Sequence, residues 1–344
     1  MESVEYRGAI AKLWQNRGRI MNVYPSFRPG DEIRVVAPST GWQRKRVDSY
    51  DRATRLLEGL GFRVSFGRNI RDTERFLTGS VAARLEDFHD AYRDTTVKAI
   101  MALHGGWSAN AVLPGIDWQL VAANPKPLIG FSDVTVLLNA LYAQTGRVQY
   151  LGPNFASLGH VAARDYSLKS LMDILTSTDE LQLRRSRTWE RERGKALAKT
   201  RPWKVLQKGT AEGVLLGGNL GTFYLLQGTP YQPQFDEPTI LAVEDDDEAG
   251  VYSAREFERR FASLLQLPGM RQHLCGLLVG RFQPSSKVTM PDIIDIVRRA
   301  ELGTMPVIAD VDFGHTWPML TLPIGGAVSI STKNNQPQFN LLKY

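Results

Sequence analysis

Cysteine is nearly absent from this chain of 344 residues: Cys275 stands alone. One thiol excludes an internal disulfide framework and any zinc site built on several cysteines. Apolar runs of the ~20 residues that a membrane-spanning helix needs are missing too. The opening stretch, MESVEYRGAIAKLWQNRGR, lacks the apolar core of roughly 7–15 residues that a secretory signal carries. A cytoplasmic protein with no membrane partner is therefore expected, with residues 1–23 as an extension ahead of the ordered pattern. Histidine is scarce, at five residues. Hydrophobic residues make up 43% and charged residues 23%, which excludes a largely disordered chain, a collagen-like fibre or a coiled coil. The length suggests about two domains.

Acidic charge is what one segment has little of. The net charge of +6 and the pI of about 9.4 first suggest an anionic or nucleic-acid partner. Yet residues 184–208 hold ten of the 42 basic residues, opposed only by Glu190 and Glu192, which leaves 32 basic against 34 acidic elsewhere. This stretch also carries Trp189 and Trp203. By itself such a run reads as a solvated surface loop. The sharper alternative is a loop that meets a small anionic ligand, with tryptophan as a stacking face. One basic loop on an otherwise slightly acidic chain is a small footprint for a nucleic acid polymer, so no such partner is expected.

Apolar, β-branched runs at 32–37, 62–66, 97–103 and 127–131 alternate with helical patterns at 44–60, 80–93, 110–113 and 118–123. This alternation predicts an α/β domain over 24–180 with a parallel, flavodoxin- or Rossmann-like sheet and a ligand crevice beyond the strand ends. Past Glu212, glycine and proline are more frequent. Strands predicted at 239–244, 276–279, 307–309 and 327–331 interleave with helices at 221–226, 254–267 and 291–300. That texture predicts a second, mixed α/β domain over 212–344, with 181–211 as the basic link between the two. The run Gly217-Gly218-Asn219-Leu220-Gly221 lacks the G-x-G-x-x-G spacing of a dinucleotide loop, and no cofactor is expected.

The most informative pentapeptide is Ile129-Gly130-Phe131-Ser132-Asp133. A strand ends here and a helix begins, with Val134, Leu137, Leu138 and Leu141 on one face. Ser132 at such a turn can cap the helix. The sharper alternative is a nucleophilic hydroxyl presented where the helix N-terminus favours negative charge. Only half of the hydrolase pattern G-x-S-x-G is met, since Val134 stands in place of the second glycine. A serine nucleophile needs a base and a group that orients the base. His315 follows a predicted strand in Asp312-Phe313-Gly314-His315, and Glu244 closes the apolar strand 239–244 ahead of Asp245-Asp246-Asp247-Glu248. Either residue can be read as structural, and the acidic run as a solvated loop or a hard-cation site.

Taken in order, several short motifs resemble the serine LD-carboxypeptidase family, which includes muramoyl tetrapeptide carboxypeptidases and microcin C self-immunity hydrolases. They are Val36-Ala37-Pro38-Ser39, His104-Gly105-Gly106-Trp107, Gly130-Phe131-Ser132-Asp133, Gly152-Pro153, Leu216-Gly217-Gly218-Asn219-Leu220, Leu241-Ala242-Val243-Glu244-Asp245, Gly280-Arg281-Phe282 and Gly314-His315. The resemblance implies Ser132 as nucleophile, His315 as general base and Glu244 as its orienting partner. It implies the backbone N–H groups of Gly106 and Asp133 as the oxyanion hole, with no metal. Residues 105–110 and the long segment before Glu212 resemble the microcin-immunity branch more. That branch implies a small anionic substrate, an aminoacyl-nucleotide with its base stacked on Trp189 or, second, Trp203. Trp107 and Asn219 are further candidates for substrate contact, and a homodimer is expected. The alternative within the family is a murein tetrapeptide substrate.

Overall fold

The computed structural model describes residues 24, 26–161, 164–190, 197–333 and 336–344. The expected N-terminal extension, 1–23, lies outside the described residues.

Two sheets organise the chain. The first runs in the order β14-β5-β4-β3-β1-β2. Its strands are β1 (Glu32–Val36), β2 (Arg63–Phe66), β3 (Val97–Ala102), β4 (Leu128–Gly130) and β5 (Gln149–Leu151), with β14 (Leu322–Ile324) at one edge. The first five are mutually parallel in the 2-1-3-4-5 order of a doubly wound sheet, and β14 joins β5 antiparallel. The connecting helices are α1 (Val47–Gly59), α2 (Val81–Arg93), α3 (Trp118–Ala123), α4 (Thr135–Thr145), α5 (Phe155–Leu158) and α6 (Arg164–Thr176). Their starts follow local chemistry: the Ser80 hydroxyl accepts from Ala83 N–H ahead of α2, and the Asp117 carboxylate accepts from Leu120 N–H ahead of α3.

The second sheet runs in the order β6-β16-β15-β10-β11-β12-β13-β9. Its strands are β6 (Leu181–Leu183), β9 (Lys204–Gln207), β10 (Thr210–Asn219), β11 (Thr239–Glu244), β12 (Leu274–Gly280), β13 (Val307–Val311), β15 (Ala327–Ser331) and β16 (Gln338–Lys343). Strands β10 to β13 are parallel and the flanking strands antiparallel, so this half is mixed as expected. Its helices are α7 (Leu220–Phe223), α8 (Ser253–Leu264), α9 (Met270–His273) and α10 (Met290–Arg299). A reciprocal box between Thr289 and Asp292 starts α10. Among the described residues no helix is long and apolar enough to cross a membrane.

Two features depart from the sequence reading. Residues 181–211 are more than a link: β6 and β9 are edge strands of the second sheet, while β7 (Thr188–Glu190) and β8 (Leu197–Lys199) pair as a small antiparallel hairpin. The charge run hides this because these strands are short and only partly buried. In addition, β14 crosses from the C-terminal half into the first sheet.

Helix α4 shows how the halves join. Residues Thr135 to Leu141 are all buried, not one face alone, because the helix is covered by both sheets. The Asn139 amide donates to Gly217 carbonyl and accepts from Gly217 N–H, and Thr135 Oγ1 accepts from Asn219 N–H. The end of β10 is thereby tied to the first turns after Ser132.

Candidate active site

Ser132 lies just past β4 with a φ of +63°. Non-glycine residues rarely adopt this left-handed backbone, and it recurs where a side chain is held for function. The turn projects the hydroxyl toward the ends of the second sheet. A neighbour must make room: a Cβ on Gly105 would stand 2.8 Å from Ser132 Cβ and 3.0 Å from its Oγ. Glycine there lets the loop after β3 pass beside the serine.

His315 meets that hydroxyl, with Nε2 2.9 Å from Ser132 Oγ. Its Nδ1 is 2.7 Å from Glu244 Oε2, and its backbone N–H donates to the same oxygen at 3.2 Å. Glu244 closes β11 and is 1% exposed. The carboxylate reaches the histidine backbone because Gly314, at φ +96°, has no side chain; a Cβ there would lie 2.4 Å from Glu244 Oε2. Phe131 packs edge-on to the imidazole at 5.3 Å between ring centroids, and Gln283 Nε2 donates to the His315 carbonyl. Burial alone would lower the pKa of His315. The bonded Glu244 carboxylate, with Asp246 and Asp245 behind it, outweighs burial and lifts the pKa to about 9. In the neutral ring, a proton held on Nδ1 by Glu244 leaves Nε2 to accept from Ser132.

Asp133 is buried, and its Oδ2 accepts three hydrogen bonds: from Ser39 Oγ, Ser108 N–H and Ala109 N–H. The side chain next to the serine therefore fixes the loop that carries Gly106. Gly106, Ser132 and Asp133 line one cavity of about 170 Å³.

That cavity also holds Trp107 and Asn219. Trp107 is 72% exposed and donates from Nε1 to Glu248 Oε2. Asn219 is buried; its side chain accepts from Thr222 N–H at the start of α7 and donates to Asp245. The cavity is acidic. Asp245 pairs with Arg260, and burial followed by the neighbouring Glu244 charge raises its pKa to about 6. Asp246 and Glu248 form no salt bridge with a lysine or arginine among the described residues. The hydroxyl of Ser253 in the same wall is buried and has no hydrogen-bond partner among the described residues.

A second cavity of about 730 Å³ lies on the other side of His315, lined by Phe131, His160, Glu190, Lys287, Thr316 and Trp317 among others. Here the basic segment departs from expectation. Glu190 faces the cavity, bonded to His160 Nε2 at 2.7 Å, and its N–H donates to Trp317 carbonyl. Arg184, Arg185, Arg187, Lys199, Arg201, Lys204 and Lys208 are exposed, and none lines either cavity. Arg191, Arg193 and Lys195 lie outside the described residues.

The tryptophans of the segment are engaged elsewhere. Trp203 is buried and donates from Nε1 to Asp312 Oδ2 at 2.8 Å, so it is a structural residue rather than a stacking face. Trp189 is half-buried against Arg281, whose guanidinium stands 5.1 Å from the ring centroid, and it lines neither cavity. Asp312 is the hub that sequence reasoning missed: it pairs with buried Arg281 and also accepts from Ser186 N–H and Oγ. Its partners Ser186 and Trp203 lie more than a hundred residues away and leave no local periodicity to read.

Comparison with known proteins gives the family. Residues 33–152 match the LD-carboxypeptidase N-terminal domain and residues 212–330 the LD-carboxypeptidase C-terminal domain. YocD of Bacillus subtilis, which carries a carboxypeptidase name, is 37% identical over 88% of this chain and 94% of its own. The murein tetrapeptide carboxypeptidase of Pseudomonas aeruginosa is 32% identical over 75% and 78%. The microcin C7 self-immunity protein MccF of Escherichia coli is 29% identical over 89% and 92%. Among solved structures, an MccF-like protein from Bacillus anthracis superposes with a TM-score of 0.90 at 33% identity, covering 93% of this chain and 99% of that one. MccF in complex with aspartyl sulfamoyl adenosine gives 0.84 at 26%, covering 94% and 99%. A muramoyltetrapeptide carboxypeptidase from Oxalobacter formigenes gives 0.72 at 26%, covering 91% and 99%. With both domains matched and relatives this similar over most of its length, the chain belongs to the LD-carboxypeptidase family of serine carboxypeptidase-like hydrolases.

Proposed function

We propose that this protein hydrolyses an amide bond in a small peptide-like substrate, with Ser132 as nucleophile. The observation that carries this reading is the unbroken relay from Ser132 Oγ through His315 to Glu244, at 2.9 and 2.7 Å. His315 takes the serine proton as Oγ attacks the carbonyl carbon. The Gly106 and Asp133 N–H groups, beside Ser132 in the same cavity, hold the oxyanion, each worth roughly 3–4 kcal/mol of barrier. His315 then gives its proton to the leaving amine. A water, deprotonated by the same ring, releases the acyl group from Ser132.

The leading substrate is an aminoacyl- or peptidyl-nucleotide, cleaved as a detoxification step. It is supported by higher structural similarity to MccF and the MccF-like protein than to the muramoyltetrapeptide carboxypeptidase. The second reading, a murein tetrapeptide, is supported by the described basic residues of 184–208 lining neither cavity and by Trp189 lying on Arg281. In either case Lys287 in the larger cavity is placed to meet an acidic group of the substrate. Turnover of aspartyl sulfamoyl adenosine and of a murein tetrapeptide, measured side by side, tests the choice. Faster cleavage of the sulfamoyl adenosine supports the first reading, and cleavage of the tetrapeptide alone supports the second. Cleavage of neither overturns both.

A further inference from the structure

A third cavity, of about 710 Å³, opens on the first domain away from Ser132 and takes no part in the proposed reaction. One face of α1 forms a wall, with Val47, Tyr50, Asp51, Thr54 and Arg55 at helical spacing. Trp42 and Phe66 form an aromatic floor with Tyr50: ring centroids of Trp42 and Tyr50 are 4.1 Å apart, and those of Trp42 and Phe66 are 5.8 Å apart. Arg44, Arg55 and Arg71 complete the lining.

The lining of this cavity is basic. Several arginines elsewhere are ion-paired, such as Arg34 with Glu32 and Asp94, Arg68 with Glu86 and Asp90, and Arg281 with Asp312. Arg44, Arg55 and Arg71 have no carboxylate within ion-pairing distance among the described residues, and Asp51 is the sole acid of the lining. Arg71 instead lies over Trp42, 5.0 Å from its centroid. A 3₁₀ turn, Arg44–Arg46, runs straight into α1 at Val47, which borders the cavity. Three guanidiniums lining one cavity suit a doubly charged oxyanion with several acceptors. The aromatic floor and the volume accommodate more than an inorganic ion.

We propose that this cavity is a binding site for a small organic phosphate, with the phosphoryl group held by Arg44, Arg55 and Arg71 and the organic part against Trp42. The site goes beyond the proposed reaction and does not depend on it. Its floor does touch the catalytic loop: Tyr50 Oη is 2.6 Å from His104 Nε2, directly ahead of Gly105 and Gly106.

Calorimetric titration of the whole protein with phenyl phosphate and with inorganic phosphate tests the site. The predicted result is saturable binding of phenyl phosphate with a Kd of about 1 mM or tighter, and weaker binding of inorganic phosphate. Ser132→Ala should bind like wild type. Arg55→Ala/Arg71→Ala, in which only exposed side chains change, should lose about tenfold or more in affinity while melting like wild type. Absence of saturable binding to the wild type overturns the proposal. So does affinity unchanged in the arginine double variant, or binding lost in Ser132→Ala, which would put the ligand at the serine.

Discussion

Glu244 takes two hydrogen bonds from His315, one from ring Nδ1 and one from the backbone N–H. A carboxylate held this way fixes both the tautomer and the tilt of the ring. Glu244→Gln keeps the shape but not the charge. We expect kcat to fall by about a thousandfold or more with KM little changed, read in steady-state assays of the preferred substrate. A loss below tenfold would show that the pair is structural.

The raised pKa of His315 sets the pH profile. A general base acts in its neutral form, and this ring gives up its extra proton only near pH 9. The rising limb of kcat/KM, which reports the free enzyme, should therefore lie near pH 9 rather than near neutrality. Asp246 helps to hold that proton, so Asp246→Asn should move the limb toward neutral pH, and Glu244→Gln should move it further in the same direction. A profile already flat from pH 6 would contradict this electrostatic account.

Asp133 is expected to matter for stability as well as rate. Removing its side chain strands Ser39 Oγ and the N–H groups of Ser108 and Ala109. Asp133→Ala should cost about 2–4 kcal/mol in denaturant unfolding. It should also lower kcat, because the loop bearing Gly106 loses its anchor. The backbone N–H of residue 133 survives the change, so an intact kcat would mean that the loop holds its place without the carboxylate.

Trp203 and Trp107 should behave in opposite ways. Trp203→Phe leaves buried Asp312 one donor short and should destabilise by about 1–3 kcal/mol with KM unchanged. Trp107→Ala removes an exposed ring at the mouth of the serine cavity. It should raise KM about fivefold, equivalent to ~1 kcal/mol, without changing the melting temperature. Parallel melting curves and kinetics of the two variants separate the roles.

The sequence carried much of this arrangement because the relevant residues end strands. Ser132 follows β4, Glu244 closes β11 and His315 follows β13, and strand ends are readable from apolar runs that stop at polar or glycine residues. Their meeting was not readable from spacing. It depends on α4 being clamped between two sheets by Asn139 and Thr135, contacts that reach 78 and 84 residues along the chain. Trp203 shows the opposite failure. A tryptophan within a basic run suggests a stacking platform, but a buried acceptor 109 residues away, Asp312, draws the indole inward. The acidic lining of the serine cavity was hidden for a related reason. Asp246 and Glu248 were visible as part of a charge run, but only the fold shows that they face Ser132 while most of the basic excess faces solvent.

The central claim is that Ser132 becomes covalently acylated during turnover. The most direct measurement is acid quenching of the enzyme in the steady state, followed by intact-mass and peptide mapping. The account predicts a mass increment equal to the acyl part of the substrate on the peptide containing Ser132. The increment should be absent from Ser132→Ala, whose kcat should fall by about 10⁴-fold or more. An adduct on another residue, or turnover by Ser132→Ala within tenfold of wild type, would contradict it.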